Sequence, residues 1–386
     1  MFIKAPTQLP KTFEEYDDAR KAGFIKAKEF KEQGGRMVGY LCTYAPLEIV
    51  DAAGAVSVGL CGTTNETVGI AETVLPANLC PLIKSTYGFA LSDKCPYTYF
   101  SDIIIGETTC DGKKKMYELL GDIKQVYVLR LPHDRTRAWA RDAWYEEIVA
   151  FKEFLEEYYG TKITDEALRE ATKNRNKLRK ALVELYNMQM MGKSAFESVE
   201  LMSSLAAGKF SYDIPEYIRS IEAVIEQKKA EIDSSGELNA KKKRIVLTGC
   251  PSGGVINKIG KVIDENGGVI VCLDDCTGER TNSMMIDENA PDILRALSDK
   301  YIDINCSVMT PNDGRMQNTL DMVKKYNADG VIDFVLQCCH TFNVEAVLMQ
   351  KAMEDAGVPY LKIETDYSAS DSGQLETRIA AFIETI

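Results

Sequence analysis

Residues 244–276 read RIVLTGCPSGGVINKIGKVIDENGGVIVCLDDC, two short and almost wholly apolar runs joined by a glycine-rich turn and a helical stretch. Runs of this kind, without polar alternation, are what strands look like when crossover helices bury both faces of a parallel sheet. GVIDFVLQ (330–337) and VPYLKIETD (358–366) repeat the pattern, with helices expected from about Val255, Thr319 and Val344 between the strands. The N-terminal third has the same texture. MVGYLC (37–42), AVSVGLC (55–61), residues 103–105 and residues 124–131 read as strands. Helices are expected from 13 to about 33, from Pro46 to Gly54, and from Asn65 to about Leu75, where Pro76 breaks the last. From about 134 to 234 the texture changes to long charge-patterned stretches at helical spacing, such as AWYEEIVAFKEFLEEYYG, with Met188, Met190 and Met191 as core filler. The expected fold class is therefore α/β: two Rossmann-like parallel-sheet domains, 1–133 and 241–386, with a helical segment, 134–240, between them. The two α/β halves read as distant structural copies.

The composition narrows the function. A chain of 386 residues, 45% hydrophobic, is long enough for two or three folded domains. A formal charge of −12 and the absence of a basic stripe with interleaved aromatics disfavour nucleic-acid binding. Residues 1–24 hold Lys4, Pro6 and Pro10 but no apolar signal core, and no run approaches the ~18 apolar residues of a membrane span. A cytoplasmic location is expected. Thiols there stay reduced, and the odd count of eleven cysteines agrees.

The cysteines fall mostly where predicted strands end: Cys42, Cys61, Cys110, Cys250, Cys276 and Cys339. Ligands of an open α/β sheet sit outside the carboxyl ends of its strands, so thiols from both halves are expected to converge on one metal cluster in the interdomain cleft. Competing motifs fail. Gly249-Cys250-Pro251-Ser252-Gly253-Gly254 lacks the spaced glycines of a dinucleotide fingerprint, and Gly192-Lys193-Ser194 has Asn187 where a phosphate-binding loop needs its first glycine. Only His133 and His340 are available for histidine chemistry, and no recurring Cys-x-x-Cys marks a zinc or ferredoxin-type site. Cys272, inside a strand, reads as a small buried hydrophobe, and Cys338-Cys339 is too cramped for both thiols to serve one cluster.

AAG (52–54) after a Pro-x-Glu helix start, LCPLIKS (79–85), TTCDGKKK (108–115), DDCTGxR (274–280), QCCH (337–340) and IETDYSxSDxGQLxTRIAAF (363–382) together resemble the 2-hydroxyacyl-CoA dehydratase and benzoyl-CoA reductase subunit family. The resemblance implies a [4Fe-4S] cluster on Cys80, Cys110 and Cys339, and an electron from a separate ATP-hydrolysing iron-sulfur activator. The surplus of thiols is similar to the double-cubane branch, which implies a homodimer, an [8Fe-9S] cluster and six ligands. Cys42, Cys95 and Cys276 complete the expected six, with Cys250, Cys306 and Cys61 in reserve. Lys113, in the helix after Cys110, is expected to offset cluster charge. His340, beside Cys339, and Glu364 and Asp366, at the end of a strand, are the candidate catalytic groups. The expected function is a cytoplasmic iron-sulfur oxidoreductase acting on a small-molecule substrate. The alternatives are a 2-hydroxyacyl-CoA dehydratase subunit with one [4Fe-4S] cluster and a non-catalytic electron carrier.

Overall fold

The computed structural model of the chain describes residues 10, 12–190, 192, 194–236 and 238–386. Met191 and Lys193 of the motifs above lie outside the described residues. The chain divides into two compact units, Met1–Arg175 with Ile286–Asp303, and Asn176–Met285 with Ile304–Ile386.

The first unit holds β1 (Met37–Tyr40), β2 (Val56–Gly59), β3 (Ile103–Glu107) and β4 (Val126–Leu129), all parallel, in the order β2-β1-β3-β4. Met37, Val38 and Ile103–Ile105 are buried, as two-sided cover requires. Helix α1 (Asp18–Glu32) is capped by Asp17, whose side chain accepts from the Arg20 backbone N–H. Lys31 near its end pairs with Asp102 at 2.6 Å, and Asp102 also accepts from the Met37 N–H, which pins the starts of β1 and β3. Helix α2 (Leu47–Ala52) follows β1, with Pro46 as its N-cap. The helix expected at 65–75 shrinks to Val68–Ala71. There the Thr67 hydroxyl donates to the Ser85 carbonyl, tying the chain to helix α3 (Pro81–Leu91) instead of continuing the turn.

Helix α4 (Pro96–Phe100) leads into β3, and α5 (Asp111–Leu120) carries the chain from β3 to β4. Helix α6 (Ala140–Tyr159) belongs to the first unit, α7 (Asp165–Asn187) crosses the division after Arg175, and α8 (Ile214–Ser235) belongs to the second. Residues 286–303 return to the first unit, where α9 (Ile293–Ile302) and its flank meet α6 through Arg141 with Asp299 and Asp303, and through Arg295 with Asp142.

The second unit repeats the topology with β5 (Lys243–Gly249), β6 (Gly268–Asp274), β7 (Gly330–Leu336) and β8 (Tyr360–Thr365), parallel in the order β6-β5-β7-β8. The fold class is thus two Rossmann-like parallel-sheet units with helices between the strands. Crossover helices α10 (Asp313–Lys325) and α11 (His340–Asp355) begin earlier than their apolar periodicity suggests, at Asp313 and His340 rather than Thr319 and Val344. Their first turns carry polar residues, to which periodicity is blind.

Candidate metal centre

The strand order second-first-third-fourth puts a topological switch between the first and third strands of each sheet, the place where open α/β sheets bind ligands. In the first unit Cys42 lies just beyond β1, Cys61 beyond β2, and Cys110 beyond β3, where it is the N-cap of α5. Cys80 is the N-cap of α3. The first turns of α3 and α5 pack together: a Cβ on Gly112 would stand 2.8 Å from Ile83 and 3.1 Å from Leu79. Only glycine lets the two capped ends approach this closely. A thiol at a helix N-cap faces unsatisfied backbone N–H groups and the positive end of the dipole, which favours thiolate and any anionic group it holds.

Lys113 supplies a full positive charge. It is buried, and its Nζ donates to the Leu41 carbonyl at 2.5 Å, to which the Cys61 thiol also donates at 3.1 Å. Burial alone would depress its pKa, but Cys42, Tyr117, Cys61 and Glu107 outweigh that and raise it well above the ordinary lysine value. The outer lysines are otherwise engaged, Lys114 with Asp111 and Lys115 with Glu118.

In the second unit Cys250 follows β5, Cys276 follows β6, and Cys339, after β7, is the N-cap of α11. Cys250 is 2% exposed, and its sulfur accepts from the Leu336 N–H at 3.4 Å, at the end of the neighbouring strand. Gly249 makes that approach possible, since at φ +126° a Cβ would fall 2.0 Å from the Phe334 carbonyl oxygen. The loop around Cys276 is built by its neighbours. Asp275 accepts from the N–H groups of Thr277 and Gly278 and the Thr277 hydroxyl through one oxygen, and from the Ser252 N–H and hydroxyl through the other. Arg280, 3% exposed, returns to Asp274 through its side chain (3.3 Å) and its carbonyl (2.7 Å). Burial opposes its charge, but Asp274, Cys306, Cys276 and Asp275 outweigh it and raise the pKa. Each unit therefore sets one buried cation beside two thiols.

The thiols occupy matched positions: Cys42 with Cys250 after the first strand, Cys61 with Cys276 after the second, Cys80 with Cys306 before the crossover helix, and Cys110 with Cys339 after the third. Cys95 has no such place, and the structure does not bring it to the carboxyl edge. Helix α3 runs eleven residues away from Cys80, roughly 16 Å at the usual rise. Cys95 lies past its far end, where it affects Tyr16, Arg20 and Tyr97 and accepts from the Thr98 N–H. Cys272 is buried in β6 with its thiol toward Glu279 at 3.7 Å, and burial together with Glu279 and Asp274 pushes its pKa well up. Cys338 adopts φ +58°, the turn that delivers Cys339 to its cap.

The candidate catalytic groups lie at the same end of the second sheet. His340 is exposed in the first turn of α11, and Glu364 is exposed and accepts from Asn343, one turn further along that helix. Asp366 builds its own turn, accepting from the Ser368 N–H and hydroxyl at 2.7 Å, while half-buried Lys258 donates to its carbonyl.

Sequence reasoning missed Glu107, the last residue of β3. It is fully buried, and neither carboxylate oxygen has a hydrogen-bond partner of good geometry. Burial pushes its pKa from the ordinary 4.5 up to about 7, against the pull of Lys113 and the Ala45 N–H. An acid closing the apolar run IIIGE was the signal in the sequence. A carboxyl raised in the folded state stabilises most below the unfolded value, and that stability is lost as pH rises from 4.5 through about 7, a loss of roughly 3 kcal/mol. Glu107→Gln is therefore expected to melt higher relative to the parent at pH 8 than at about pH 5; equal differences at both would refute it.

None of the eleven cysteines forms a disulfide, and among the described residues no three His, Cys, Asp or Glu side chains meet closely enough for a single metal ion. Thiols that hold a cluster each bind a different iron and need not meet at one point. No described helix is long and apolar enough to cross a membrane.

Two doubly wound sheets with thiols, rather than a glycine fingerprint, at their carboxyl edges define a cysteine-edged α/β protein. The family model described as "2-hydroxyglutaryl-CoA dehydratase, D-component" matches residues 42–386, and the chain belongs to that family. It is 42% identical over 381 residues to YjiM of Escherichia coli (strain K12), provisionally named a dehydratase subunit, covering 98% of this chain and 99% of that one. It is 26% identical to the (R)-phenyllactyl-CoA dehydratase beta subunit of Clostridium sporogenes, over 93% and 94% of the two chains. It is 25% identical to (R)-2-hydroxyglutaryl-CoA dehydratase, subunit beta, of Acidaminococcus fermentans, over 97% and 98%. The family implies an iron-sulfur cluster, and the residues fit one. Cys80, Cys110 and Cys339 stand at helix N-caps, and Lys113 and Arg280 are buried cations beside thiols, all suited to an anionic group.

Proposed function

We propose that the protein is an iron-sulfur reductase that holds a double-cubane [8Fe-9S] cluster, takes low-potential electrons from a separate ATP-hydrolysing activator, and reduces a small substrate. The observation that carries this reading is the thiol count: more cysteines than the three of a single cubane occupy matched positions at the two carboxyl edges. The ligand set proposed is Cys42, Cys80, Cys110, Cys276, Cys339 and, in place of Cys95, Cys250. When bound, the cluster supplies low-potential electron storage.

The chain's residues provide the setting. Helix N-caps orient thiolates, Lys113 and Arg280 balance negative charge, and Asp275 fixes the Cys276 loop. His340, one residue from Cys339 and exposed, is placed to hand a proton to a substrate, and Glu364 is held by Asn343 on the same helix. A homodimer is the assembly this reading expects.

A second reading, a 2-hydroxyacyl-CoA dehydratase subunit with one [4Fe-4S] cluster on Cys80, Cys110 and Cys339 and a different partner subunit, is favoured by the names of the relatives. Iron and sulfide per chain, measured anaerobically, separate the two. Roughly eight irons are expected for the double cubane and about four for the dehydratase type; zinc in place of iron would overturn both.

A further inference from the structure

Glu107 is used by nothing described so far. It ends β3, one of the two strands flanking the switch point of the first sheet, three residues before Cys110. Its carboxylate is fully buried and neither oxygen has a hydrogen-bond partner of good geometry, so the ionised form is held only weakly, by the pull of the Ala45 N–H and the charge of Lys113. Its backbone is held by contrast: the N–H donates to the Tyr117 hydroxyl at 3.4 Å, and the Tyr117 ring lies against Gly106, where a Cβ would stand 2.6 Å from it. The carboxyl is thus fixed in place, where burial disfavours its charged form. The titratable groups facing it are Lys113 and Tyr117 from α5, with Cys42 and Cys61 beyond Lys113.

A buried edge that gains an electron becomes more negative, and in a low dielectric that charge is costly unless a proton accompanies it. Lys113 cannot answer this need, because it is already protonated and its Nζ is committed to the Leu41 carbonyl. We infer that Glu107 is the proton-accepting partner of the electron stored at this edge: its carboxylate takes one proton from solvent for each first electron delivered by a one-electron donor. The balance is one electron to the group held by the thiols and one proton to a Glu107 oxygen, with no other bond made or broken. Lys113 keeps its charge throughout, and Glu107 itself carries the proton without touching substrate.

This inference rests on the iron-sulfur reading, and its test separates the two. Iron content comes first: a wild-type protein without iron would sink the functional reading and this inference with it. With iron present, the first reduction potential of the anaerobic holoprotein is titrated between about pH 6 and pH 8, using dithionite as donor, for wild type, E107Q and E107D. The expected result is a potential that falls with rising pH in wild type, loses that dependence in E107Q, and regains it in E107D with a displaced midpoint. Wild-type pH dependence in an E107Q protein of full iron content would overturn the inference, as would a flat wild-type profile. Should E107Q fail to load iron, the reduced-minus-oxidised infrared difference spectrum of wild type decides: a protonated-carboxyl band gained on reduction and shifted in E107D supports the proposal, and its absence ends it.

Discussion

Cys110→Ser is expected to lose about half or more of the iron and sulfide bound per chain, whereas Cys95→Ser keeps the parent value. The two residues look alike in the sequence. Each precedes a helix, and each is that helix's N-cap. They differ in where the helix starts. Cys110 follows β3, so it stands at the carboxyl edge beside the packed first turns of α3 and α5. Cys95 follows the far end of α3, and the next strand begins only eight residues later at Ile103, so it stands among Tyr16, Arg20 and Tyr97. Serine is nearly isosteric with cysteine and keeps an N-cap acceptor, so neither change should disturb the helices. Iron and sulfide assays with a melting curve for each variant check the pair. Equal iron in both, or loss in Cys95→Ser alone, would reverse the assignment of this edge.

All eight strands were legible, because apolar runs such as RIVLTG and GVIDFVL have no other use in a chain with crossover helices. The cysteine positions were legible for the same reason wherever a thiol directly closes a strand, as at Cys42, Cys250 and Cys276. The end of the sheet at which Cys95 stands was not legible, because Cys-Pro before a helix reads the same at either end; only the length of α3 decides it. The path of residues 286–303 back to the first unit was not legible either, since the ion pairs that hold them there, Arg141 with Asp299 and Asp303, join residues about 160 apart in sequence, beyond the reach of any local pattern. Arg280 was invisible as a site residue because charge on its own does not reveal burial, and the one trace of Glu107 was an acid closing an apolar run. The DDCTGxR motif became intelligible only once Asp275 was seen bonding to Ser252 and Arg280 to Asp274.

Arg315→Met should destabilise the protein by about 3–5 kcal/mol near pH 8, the usual cost of stripping one partner from a buried ionic group. Arg315 is fully buried on α10, and its guanidinium joins three elements: Glu345 of α11 at 2.5 Å, the Thr248 hydroxyl of β5 at 3.0 Å, and Asp333 of β7 at 3.6 Å, with the Phe342 ring 4.9 Å away. Methionine fills similar volume, so packing is nearly conserved and the loss is electrostatic. Asp333, held by the Tyr360 hydroxyl at 2.8 Å, is already raised by burial and kept down chiefly by Arg315. Without the arginine, the folded-state pKa of Asp333 rises further above its unfolded value. Stability from a raised carboxyl is present below the unfolded value and lost as pH rises through the folded one, so the deficit of Arg315→Met should shrink at about pH 5. Adding Glu345→Gln should recover part of it at pH 8. Denaturant unfolding at the two pH values measures this, and a deficit below about 1 kcal/mol at pH 8 would show that the network is solvated in solution. The same network reaches the thiols. Thr248 stands two residues before Cys250 and donates to Asp274 at 2.6 Å, and Asp274 stands two before Cys276. Loosening Arg315 should therefore loosen both loops, and Arg315→Met should bind less iron than its residual fold would allow, a coupling that a purely structural arginine remote from the site would not produce.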